Sequence, residues 1–596
     1  MLILMNTTDS REANPIQRTR VWFYLLLTVF AVFVFRLFYL QVIRHDYYTT
    51  MAASDQLREY NVLPERGTIY VQSGGSQIPL VLNQRMYTIS ADPTVIKKKL
   101  ETAKLLTPVI GQSEQEIVEK LKTKNTRYVV LKKKLDEKSA KKLLELKVGG
   151  IVATKVNYRI YPQGSLASQV LGFVDEDGNG KYGIEEGLNK VVGGKMGKLK
   201  AVTDVNGVPL AANNENFLIN PENGKDLLLT INMGMQAQLE QIAKRAQEKF
   251  NSKHVSAIVM ETKSGKIRAM ANYPTFDPGK YTEVQDANLF QNYAATQQIE
   301  PGSITKVLSA AAALDSGAVT MNSSFYDPGK WVIDEATVTD VDKEHNVGTQ
   351  TVKSTLDYSL NTGATWFLMQ MGGGRLNEVG RSKLYDYYTN KFNLGSATGI
   401  EQGYEAEGYL VGPKDTGSGI DLTYANMAFG QAYSASAVQM VGAFNSIING
   451  GTYYRPQLVE KIGSGSDERT VPSKAVRTGV VSQQVGKDIA TTLSQIRERR
   501  ANSGFPDLKF DAKYFVGGKS GTAQIAKKEG GYREDRFNGT YLGFVGGDSP
   551  EYSIIVYNIE PAVATTSYAG TVAGQTVWAE IAHMLVNNYG VTPRKV

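Results

Sequence analysis

The sequence contains no cysteine in its 596 residues. This absence excludes disulfide bonds, thiolate nucleophiles and cysteine-based zinc sites together. With 42% hydrophobic and 21% charged residues, the chain must fold around ordinary apolar cores, and its length suits two to four domains.

Histidine is nearly as scarce, and its spacing excludes a second group of sites. The chain has four histidines, which lie far apart at His45, His254, His345 and His583. None has H-E-x-x-H or similar spacing, so we expect no metal site and no cofactor. The count leaves a Ser-His-Asp triad open, but the serine that stands out on other grounds, Ser303, has no G-x-S-x-G elbow around it.

The chain also has only a small excess of positive over negative charge. The net charge of +7 is small and spread along the chain, so nucleic acid is not an expected partner. Lysine clusters at residues 94–147 are typical of a solvated helical face.

One long apolar run lies near the N-terminus. The stretch from Val21 to Phe35 has no charge, and apolar residues continue beyond Arg36 to Ile43. If Arg36 extends to the interface, residues 21–43 can form one transmembrane helix of ~20 residues. The residues after the run offer no small-residue cleavage site, which favours an anchor over a signal peptide.

Arginines before this helix favour a cytoplasmic tail at residues 1–20. A single-pass protein of the cell membrane is therefore predicted, with its catalytic part outside the cytoplasm.

Residues 44–224 are predicted to form an N-terminal module of strands with a helical lobe at about residues 94–147. Within this module, the stretch from Asp175 to Glu186 matches the residue pattern of an EF-hand calcium loop. An EF-hand needs a helix on each side, whereas the preceding residues are typical of a strand. A plain acidic β-turn is therefore favoured, and calcium binding stays the alternative.

Residues 225–596 have strands at both ends and a helical middle. The pattern begins with a strand, a helix and a hairpin between Leu227 and Tyr273, and it ends with three strands and a closing helix. This order predicts an α+β domain with an antiparallel sheet flanked by helices.

The stretch Glu300-Pro301-Gly302-Ser303-Ile304-Thr305-Lys306 stands before an Ala-rich run that strongly favours a helix. Ser303 should lie in the first turn, with Lys306 on the same face. Lys306 can act as the base for this serine only when it is neutral, which costs about 4–5 kcal/mol at pH 7 for an ordinary lysine. Burial and a second cation must supply most of that. The spacing alone is weak, because Ser139 and Lys142 repeat it in the lysine-rich lobe.

Two further motifs follow in the chain. Ser359-Leu360-Asn361 opens a helix, where Asn361 could also be a simple N-cap, and Lys519-Ser520-Gly521-Thr522 lies in a glycine-rich strand. S-x-x-K, S-x-N and K-S-G-T in this order resemble the penicilloyl serine transferase superfamily. More narrowly, the chain resembles the class B penicillin-binding proteins, which are membrane-anchored peptidoglycan transpeptidases.

The resemblance extends over nearly the whole chain. Other matching motifs are Pro64-Glu65-Arg66-Gly67-Thr68-Ile69, Arg159-Ile160-Tyr161-Pro162 and Gly183-Ile184-Glu185. The segment around Gly172-Phe173-Val174 and Gly183-Ile184-Glu185 is closer to the division-type branch than to the elongation type. Two departures, Val71-Gln72-Ser73 and Gly430-Gln431-Ala432, lie outside the three catalytic motifs.

The resemblance implies roles for residues of this chain. Ser303 would be the nucleophile and Lys306 its base, while Ser359 would relay the proton and Asn361 would hold the substrate amide. Lys519 would be the second cation. The remaining substrate and oxyanion contacts would come from Ser520, Gly521, Thr522 and Gln524, with the backbone N–H groups of Ser303 and Thr522 forming the oxyanion hole.

Strict strand alternation separates Lys519 from Ser520 and Thr522, so we expect a bulge or an edge position near Gly521.

The implied partners are peptidoglycan stem peptides or their lipid-linked precursor, β-lactams, the membrane and a polytopic glycosyltransferase. Two alternatives stay open at this point. Water in place of the acceptor amine would make the protein a D,D-carboxypeptidase, and loss of turnover would make it a β-lactam sensor or scaffold.

Overall fold

The computed structural model describes residues 15–48, 57–62, 64–202, 217–341, 347–415, 417, 419–527, 531–563 and 568–594. Most of the predicted cytoplasmic tail, residues 1–14, lies outside the described residues. The chain divides into two compact units, Met1–Pro64 with Lys195–Glu222, and Glu65–Gly194 with Asn223–Val596.

The strands are numbered in chain order. They are β1 (Leu57–Val62), β2 (Ile69–Ser73), β3 (Ser76–Ala91), β4 (Val129–Leu135), β5 (Ile151–Ile160), β6 (Phe173–Val174), β7 (Gly180–Lys181), β8 (Gly197–Val202), β9 (Phe217–Ile219), β10 (Leu227–Asn232), β11 (His254–Glu261), β12 (Ile267–Tyr273), β13 (Ser324–Pro328), β14 (Lys330–Ile333), β15 (Ala336–Thr339), β16 (Val347–Thr351), β17 (Thr452–Tyr454), β18 (Val459–Ile462), β19 (Arg469–Thr470), β20 (Ala475–Thr478), β21 (Phe515–Ala526), β22 (Tyr532–Gly546) and β23 (Pro550–Ile559).

The α-helices are referred to by their residues. They are Pro15–Phe38, Lys99–Ile110, Glu114–Leu121, Glu137–Glu145, Ser168–Leu171, Gly183–Gly187, Asn189–Val192, Met233–Phe250, Tyr293–Thr296, Thr305–Asp315, Val352–Asp357, Asn361–Met371, Glu378–Asp386, Ile420–Phe429, Ala437–Ile448, Gln483–Asn502 and Thr576–Asn588.

The first unit contains the apolar helix. Pro15–Phe38 continues through a π-helical turn at Tyr39–Ile43. Its stretch Thr19–Ile43 has 25 residues, is apolar enough to cross a membrane and contains no buried residue. At 1.5 Å per residue it is about 37 Å long, which is enough to cross the ~30 Å apolar layer of a bilayer.

The same unit has a three-stranded sheet in the order β1-β8-β9. The excursion that carries β8 and β9 closes at its base, where Lys195 and Glu222 exchange backbone hydrogen bonds of 2.8 and 3.0 Å. Their side chains form an ion pair at 2.9 Å. The sequence analysis predicted strands in this part of the chain but did not locate β8 and β9. Residues 203–216 between these two strands lie outside the described part of the chain.

In the second unit, a seven-stranded sheet has the order β19-β18-β10-β2-β3-β4, and β5 also pairs with β3. β10 runs parallel to β2, whereas the other pairings are antiparallel. Strands from both sides of residue 224 therefore share one sheet, and the division of the chain at that residue stays a prediction.

The lobe at residues 94–147 is helical, as expected, but it also contains β4, which the sequence analysis missed. β4 has the sequence VVLKKKL and pairs with β3. Leu131 and Leu135 are buried, whereas Lys133 and Lys134 between them are exposed. Three consecutive lysines obscure the period-two pattern that identifies a half-buried strand.

Three of the motifs outside the active site meet in this unit. Glu185 is fully buried and accepts hydrogen bonds from Arg66 Nε at 3.1 Å and from Arg159 Nε at 2.7 Å. Arg66 also donates to Asn189 Oδ1 at 2.8 Å, and Arg159 donates to Asn83 Oδ1 at 3.0 Å. The Arg66–Glu185–Arg159 triad thus joins segments that are 93 and 26 residues apart, counted from residues 66, 159 and 185.

The acidic stretch from Asp175 forms a turn between β6 and β7. The Asp175 carboxylate accepts the N–H groups of Asp177 at 3.0 Å and Asn179 at 2.8 Å. Strand β6 precedes it, as predicted, and the Glu186 carboxylate accepts the N–H of Tyr182. Among the described residues, no group of three acidic or histidine side chains is placed to hold a metal ion.

The largest part of this unit is built on a five-stranded antiparallel sheet in the order β12-β11-β23-β22-β21. Helices Met233–Phe250 and Thr576–Asn588 cover one face through Val556, Val545 and their neighbours. The helices Thr305–Asp315 and Ala437–Ile448 cover the other through Leu542 and Ile555. The predicted α+β fold with helices flanking an antiparallel sheet is confirmed, and β21 is an edge strand.

Candidate active site

Ser303 lies in a 3-10 turn, Gly302–Ile304, which leads directly into the helix Thr305–Asp315. Gly302 has φ +68°, and its N–H donates to Gly430 O at 2.9 Å. A Cβ at Gly302 would lie 2.6 Å from Thr522 O, so only glycine fits there. This turn fixes a half-buried Ser303 beside β21, at the helix start expected from the sequence.

Lys306 is fully buried one turn later. Its Nζ lies 2.9 Å from Ser303 Oγ, 3.2 Å from Ser359 Oγ and 2.8 Å from Asn361 Oδ1, with Ser359 O at 2.5 Å. Among the described residues, no carboxylate oxygen lies within 4.0 Å of Lys306 Nζ, so Lys306 forms no ion pair with them. The four neighbouring oxygens exceed the three N–H donors of an ammonium, so one hydroxyl can donate to a neutral amine instead.

Burial lowers the pKa of Lys306 to about 7, while the negative charge of Asp340 opposes the shift. Taking an ammonium out of water disfavours its charged form, and no nearby counterion compensates fully. A substantial fraction of Lys306 is therefore neutral at pH 7, as a base for Ser303 requires.

Ser359 lies between two helices, Val352–Asp357 and Asn361–Met371, in the left-handed region with φ +61°. This conformation is unfavourable for serine and is typical of functional positions. It lets Ser359 and Asn361 face the same side, as the two-residue spacing predicted for a turn. The N-cap alternative for Asn361 is wrong, because Leu360 is the N-cap residue and Asn361 directs its side chain to Lys306.

Lys519 reaches the site from β21. Its Nζ lies 2.9 Å from Ser359 Oγ and 2.9 Å from Ser520 O, and only 4% of the residue is exposed. The Ser359 hydroxyl thus lies between the two lysines.

The expected electrostatic role of Lys519 needs a correction. Burial, which was also expected, lowers the pKa of Lys306, but Lys519 is not among the causes of that shift. Burial also lowers the pKa of Lys519 well below its ordinary value, and the charges of Lys306 and Arg500 lower it further. Because a guanidinium keeps its charge, Arg500 is a permanent cation next to Ser520 of this strand.

The residues after Lys519 follow regular strand geometry. β21 pairs with β22 in one register from Phe515 to Gln524, so the expected bulge at Gly521 is absent, whereas the edge position is confirmed. A Cβ at Gly521 would lie 2.3 Å from Thr540 Oγ1 and 3.0 Å from Ile304 N. Gly521 therefore permits the close packing of β21 against the Ser303 turn.

The hydroxyls of Ser520 and Thr522 are both half-buried hydrogen-bond acceptors. Arg500 Nη1 donates to Ser520 Oγ at 3.4 Å, and Gly570 N donates to Thr522 Oγ1 at 3.0 Å. Each hydroxyl keeps its own hydrogen for a ligand. Gln524 is held by Gln431 at 3.0 Å and lines a cavity of about 520 Å³ next to Glu300.

Sequence reasoning missed the acidic residues behind the S-x-N motif. Asp340 accepts the N–H groups of Asn361 and Thr362 and the Thr362 hydroxyl, the last two at 3.1 and 2.8 Å. Asp327 Oδ2 contacts the same hydroxyl, whose single hydrogen the two carboxylates share. Both carboxylates are buried, and they fix the start of the helix that carries Asn361. Nothing in the sequence around Asp340 distinguishes it from an ordinary loop residue.

Comparison with known proteins agrees with this geometry. Residues 255–583 match the family described as penicillin binding protein transpeptidase domain, and residues 61–229 match the penicillin-binding protein dimerisation domain.

The chain is similar over nearly its full length to characterised proteins. It is 29% identical to stage V sporulation protein D of Bacillus subtilis (strain 168), covering 98% of this chain and 88% of that one. It is 26% identical to the peptidoglycan D,D-transpeptidase FtsI of Buchnera aphidicola subsp. Baizongia pistaciae, covering 93% and 92%.

Among solved structures, a peptidoglycan synthetase from Bifidobacterium adolescentis has a TM-score of 0.68 at 26% identity, covering 91% of this chain and 98% of that one. Penicillin binding protein 3 from Mycobacterium tuberculosis, complexed with aztreonam, has a TM-score of 0.66 at 23% identity, covering 90% and 98%, and shows the shared fold. Since the transpeptidase model alone covers more than half of the chain, this protein belongs to the penicillin-binding protein transpeptidase family.

Proposed function

We propose that the protein is a peptidoglycan D,D-transpeptidase that cross-links stem peptides through an acyl-enzyme at Ser303, and that β-lactams inhibit it covalently. The observation that carries this proposal is the 2.9 Å contact between Ser303 Oγ and the Nζ of a buried lysine whose pKa is lowered to about 7. A serine with an adjacent neutral amine is an activated nucleophile.

In the first half of the reaction, Ser303 Oγ attacks the carbonyl of the penultimate D-alanine of a donor stem. The bond from Oγ to the carbonyl carbon forms while the hydroxyl proton passes to Lys306. The backbone N–H groups of Ser303 and Thr522 are proposed to stabilise the oxyanion, because the turn Gly302–Ile304 packs against β21 at this point.

Collapse of this intermediate breaks the bond to the terminal D-alanine, whose nitrogen needs a proton. Ser359 Oγ lies 3.2 Å from Lys306 Nζ, and this contact supports a role for Ser359 in passing the proton from Lys306 to the leaving amine. Lys519, at 2.9 Å on the other side, holds the orientation of the hydroxyl. Free D-alanine and the Ser303 ester are the products.

In the second half, an amine of an acceptor stem attacks the ester and the new amide bond forms while the ester bond to Ser303 Oγ breaks. The proton that the amine loses passes through Ser359 to the neutral Lys306 and from there to Ser303 Oγ. We propose that Asn361, Gly521 and Gln524 align the donor backbone beside β21. Ser520 and Thr522 have hydroxyl hydrogens available for the donor carboxylate. Attack by water at this stage would give the carboxypeptidase alternative.

The apolar stretch Thr19–Ile43 is proposed to anchor the protein in the cell membrane, with the N-terminus inside and the catalytic unit outside. A membrane position would bring the site near lipid-linked precursors and a polytopic glycosyltransferase partner. The division-type role is proposed on the sequence motifs alone.

A cross-linking assay tests the proposal. The full chain in detergent is incubated with a pentapeptide stem and a second stem that offers a free amine, and both the cross-linked product and released D-alanine are measured. Cross-linking that is lost in Ser303→Ala supports the transpeptidase. D-alanine release without cross-linking would indicate a carboxypeptidase, and labelling by fluorescent penicillin without either product would indicate a sensor.

Ser139→Ala provides a matched control, because it alters the other S-x-x-K match, in the lysine-rich lobe. It should leave labelling and cross-linking unchanged.

A further inference from the structure

The strand that is proposed to receive the donor carboxylate has little fixed positive charge of its own. Burial lowers the pKa of Lys519 well below its ordinary value, and Lys519 already contacts Ser359 and Ser520 O. A carboxylate bound by hydroxyl groups alone would lose much of its solvation without a countercharge. The donor stem therefore calls for a cation near Ser520 and Thr522.

Arg500 lies at this position. It belongs to the last turn of the helix Gln483–Asn502, and its Nη1 lies 3.4 Å from Ser520 Oγ. Its guanidinium stacks over the Phe505 ring at 5.3 Å, which holds the planar group in place. Among the described residues, no carboxylate oxygen lies within 4.0 Å of it.

The neighbouring arginine shows the contrast. Arg499 donates from Nε to Asp357 Oδ2 at 2.8 Å and forms a second bond from Nη2 to Oδ1 at 2.5 Å. Its charge is already neutralised in a bidentate ion pair. Of these two adjacent guanidinium groups, Arg500 is the one that has no carboxylate partner among the described residues.

The hydrogen-bond directions also favour an anion here. Ser520 Oγ accepts from Arg500, and Thr522 Oγ1 accepts from Gly570 N, so both hydroxyl hydrogens can point to a common ligand. The two residues share one side of a regular edge strand. Together with the guanidinium, they form a donor set that matches a carboxylate.

We propose that Arg500 is a specificity residue of the donor site, which binds the terminal carboxylate of the stem peptide, or the carboxylate of a β-lactam, together with Ser520 and Thr522. This inference rests on the proposed function and adds a residue to it. On binding, the long contact to Ser520 is exchanged for charged hydrogen bonds to the ligand.

The experiment compares two donors that differ only at the C-terminus. Acylation of Ser303 by a stem-like thioester with a free carboxylate is measured beside the same thioester with a carboxamide, for the full chain in detergent. We expect Arg500→Gln to lower the second-order acylation constant for the carboxylate donor by about 10-fold or more, mainly through weaker binding. The carboxamide donor should change less than about 2-fold, because a neutral group gains little from the guanidinium.

Two further variants keep the test decisive. Arg500→Lys preserves the charge without the planar fork and should retain part of the preference for the carboxylate donor, while Arg499→Gln removes an adjacent charge and should leave the preference unchanged. An equal loss for both donors in Arg500→Gln, or an unchanged preference, would overturn the proposal. If neither donor acylates the unmodified protein, the proposed function itself fails.

Discussion

Two clusters of buried charge in the same unit are built in opposite ways. In the Arg66–Glu185–Arg159 triad, two guanidinium groups share one carboxylate that is fully buried. In the active site, Lys306 and Lys519 are equally buried, but neutral oxygens of Ser303, Ser359 and Asn361 are their neighbours.

The difference shows how a buried charge can stabilise the fold in one place and supply a catalytic base in another. A paired buried ion stays ionised and stabilises the contact of distant segments, because breaking the pair leaves a charge without compensation. A buried lysine without a carboxylate loses its proton near neutral pH, and burial lowers the pKa of Lys306 to about 7 for this reason. The triad therefore holds the chain together, and the lysines make a base available.

The largest effect should follow when the base itself is removed. We expect Lys306→Gln to reduce acylation by fluorescent penicillin by about 10²- to 10⁴-fold, since positioned general bases contribute this much. The thermal unfolding temperature should fall little or rise, because a buried ionisable group has been replaced. Lys142→Gln, in the other S-x-x-K match, is exposed and should have no effect on either; a Lys306→Gln variant that acylates normally would refute the base assignment.

The opposite result is expected from the triad. Glu185→Gln leaves Arg66 and Arg159 without a full countercharge. We therefore expect the free energy of unfolding, measured by denaturant titration, to fall by about 3–5 kcal/mol. Acylation by the folded fraction should be unchanged. Glu176→Gln removes an exposed ion pair with Lys133 and should lower the free energy of unfolding by less than about 1 kcal/mol. A similar loss in both variants would contradict the proposed difference between the buried triad and an ordinary ion pair.

The pH dependence of acylation should show the neutral base directly. Since burial lowers the pKa of Lys306 to about 7, the rate should rise with pH through 7 and level off above 8. Two units below the pKa, at pH 5, about 1% of the amine is neutral and the rate should be about 100-fold lower. Stopped-flow acylation over pH 5–9 measures the midpoint, and a flat profile would contradict the prediction.

The smallest effect concerns the carboxylate behind the site. Asp340 opposes the lowering of the Lys306 pKa, so Asp340→Asn should move the midpoint of the pH profile below 7. Loss of charged hydrogen bonds to Asn361 and Thr362 should also reduce acylation by about 10-fold. Asp334→Asn, an exposed change at a nearby turn, is the control and should leave the midpoint in place.

Much of the active site could be predicted from the order of the three motifs and from the residues next to them. The Pro-Gly break and the Ala-rich run placed Ser303 at a helix start, and the two-residue spacing of Ser359 and Asn361 required a turn. These features depend on neighbours in the sequence, which is why they can be predicted from it. The antiparallel sheet followed from the strand pattern in the same way.

Features that depend on distant contacts could not be predicted. Asp340 and Arg500 reach the site only through folding, and neither has a local pattern that distinguishes it from other charged residues. The Lys306 pKa shift was assigned to burial and a second cation together, because the sequence does not show how deeply each lysine is buried; burial is the cause that lowers it in the structure. β4 was missed because its lysines interrupt the apolar alternation.

The backbone bridge between Lys195 and Glu222 has a practical consequence for protein engineering. A segment that leaves and rejoins the chain at one paired position can accept a longer connection between β8 and β9 without changing the path of the flanking residues, whereas its removal would leave β1 without its partner strand. The connection between β8 and β9 is therefore a natural place to attach a reporter or a purification tag, far along the sequence from Ser303.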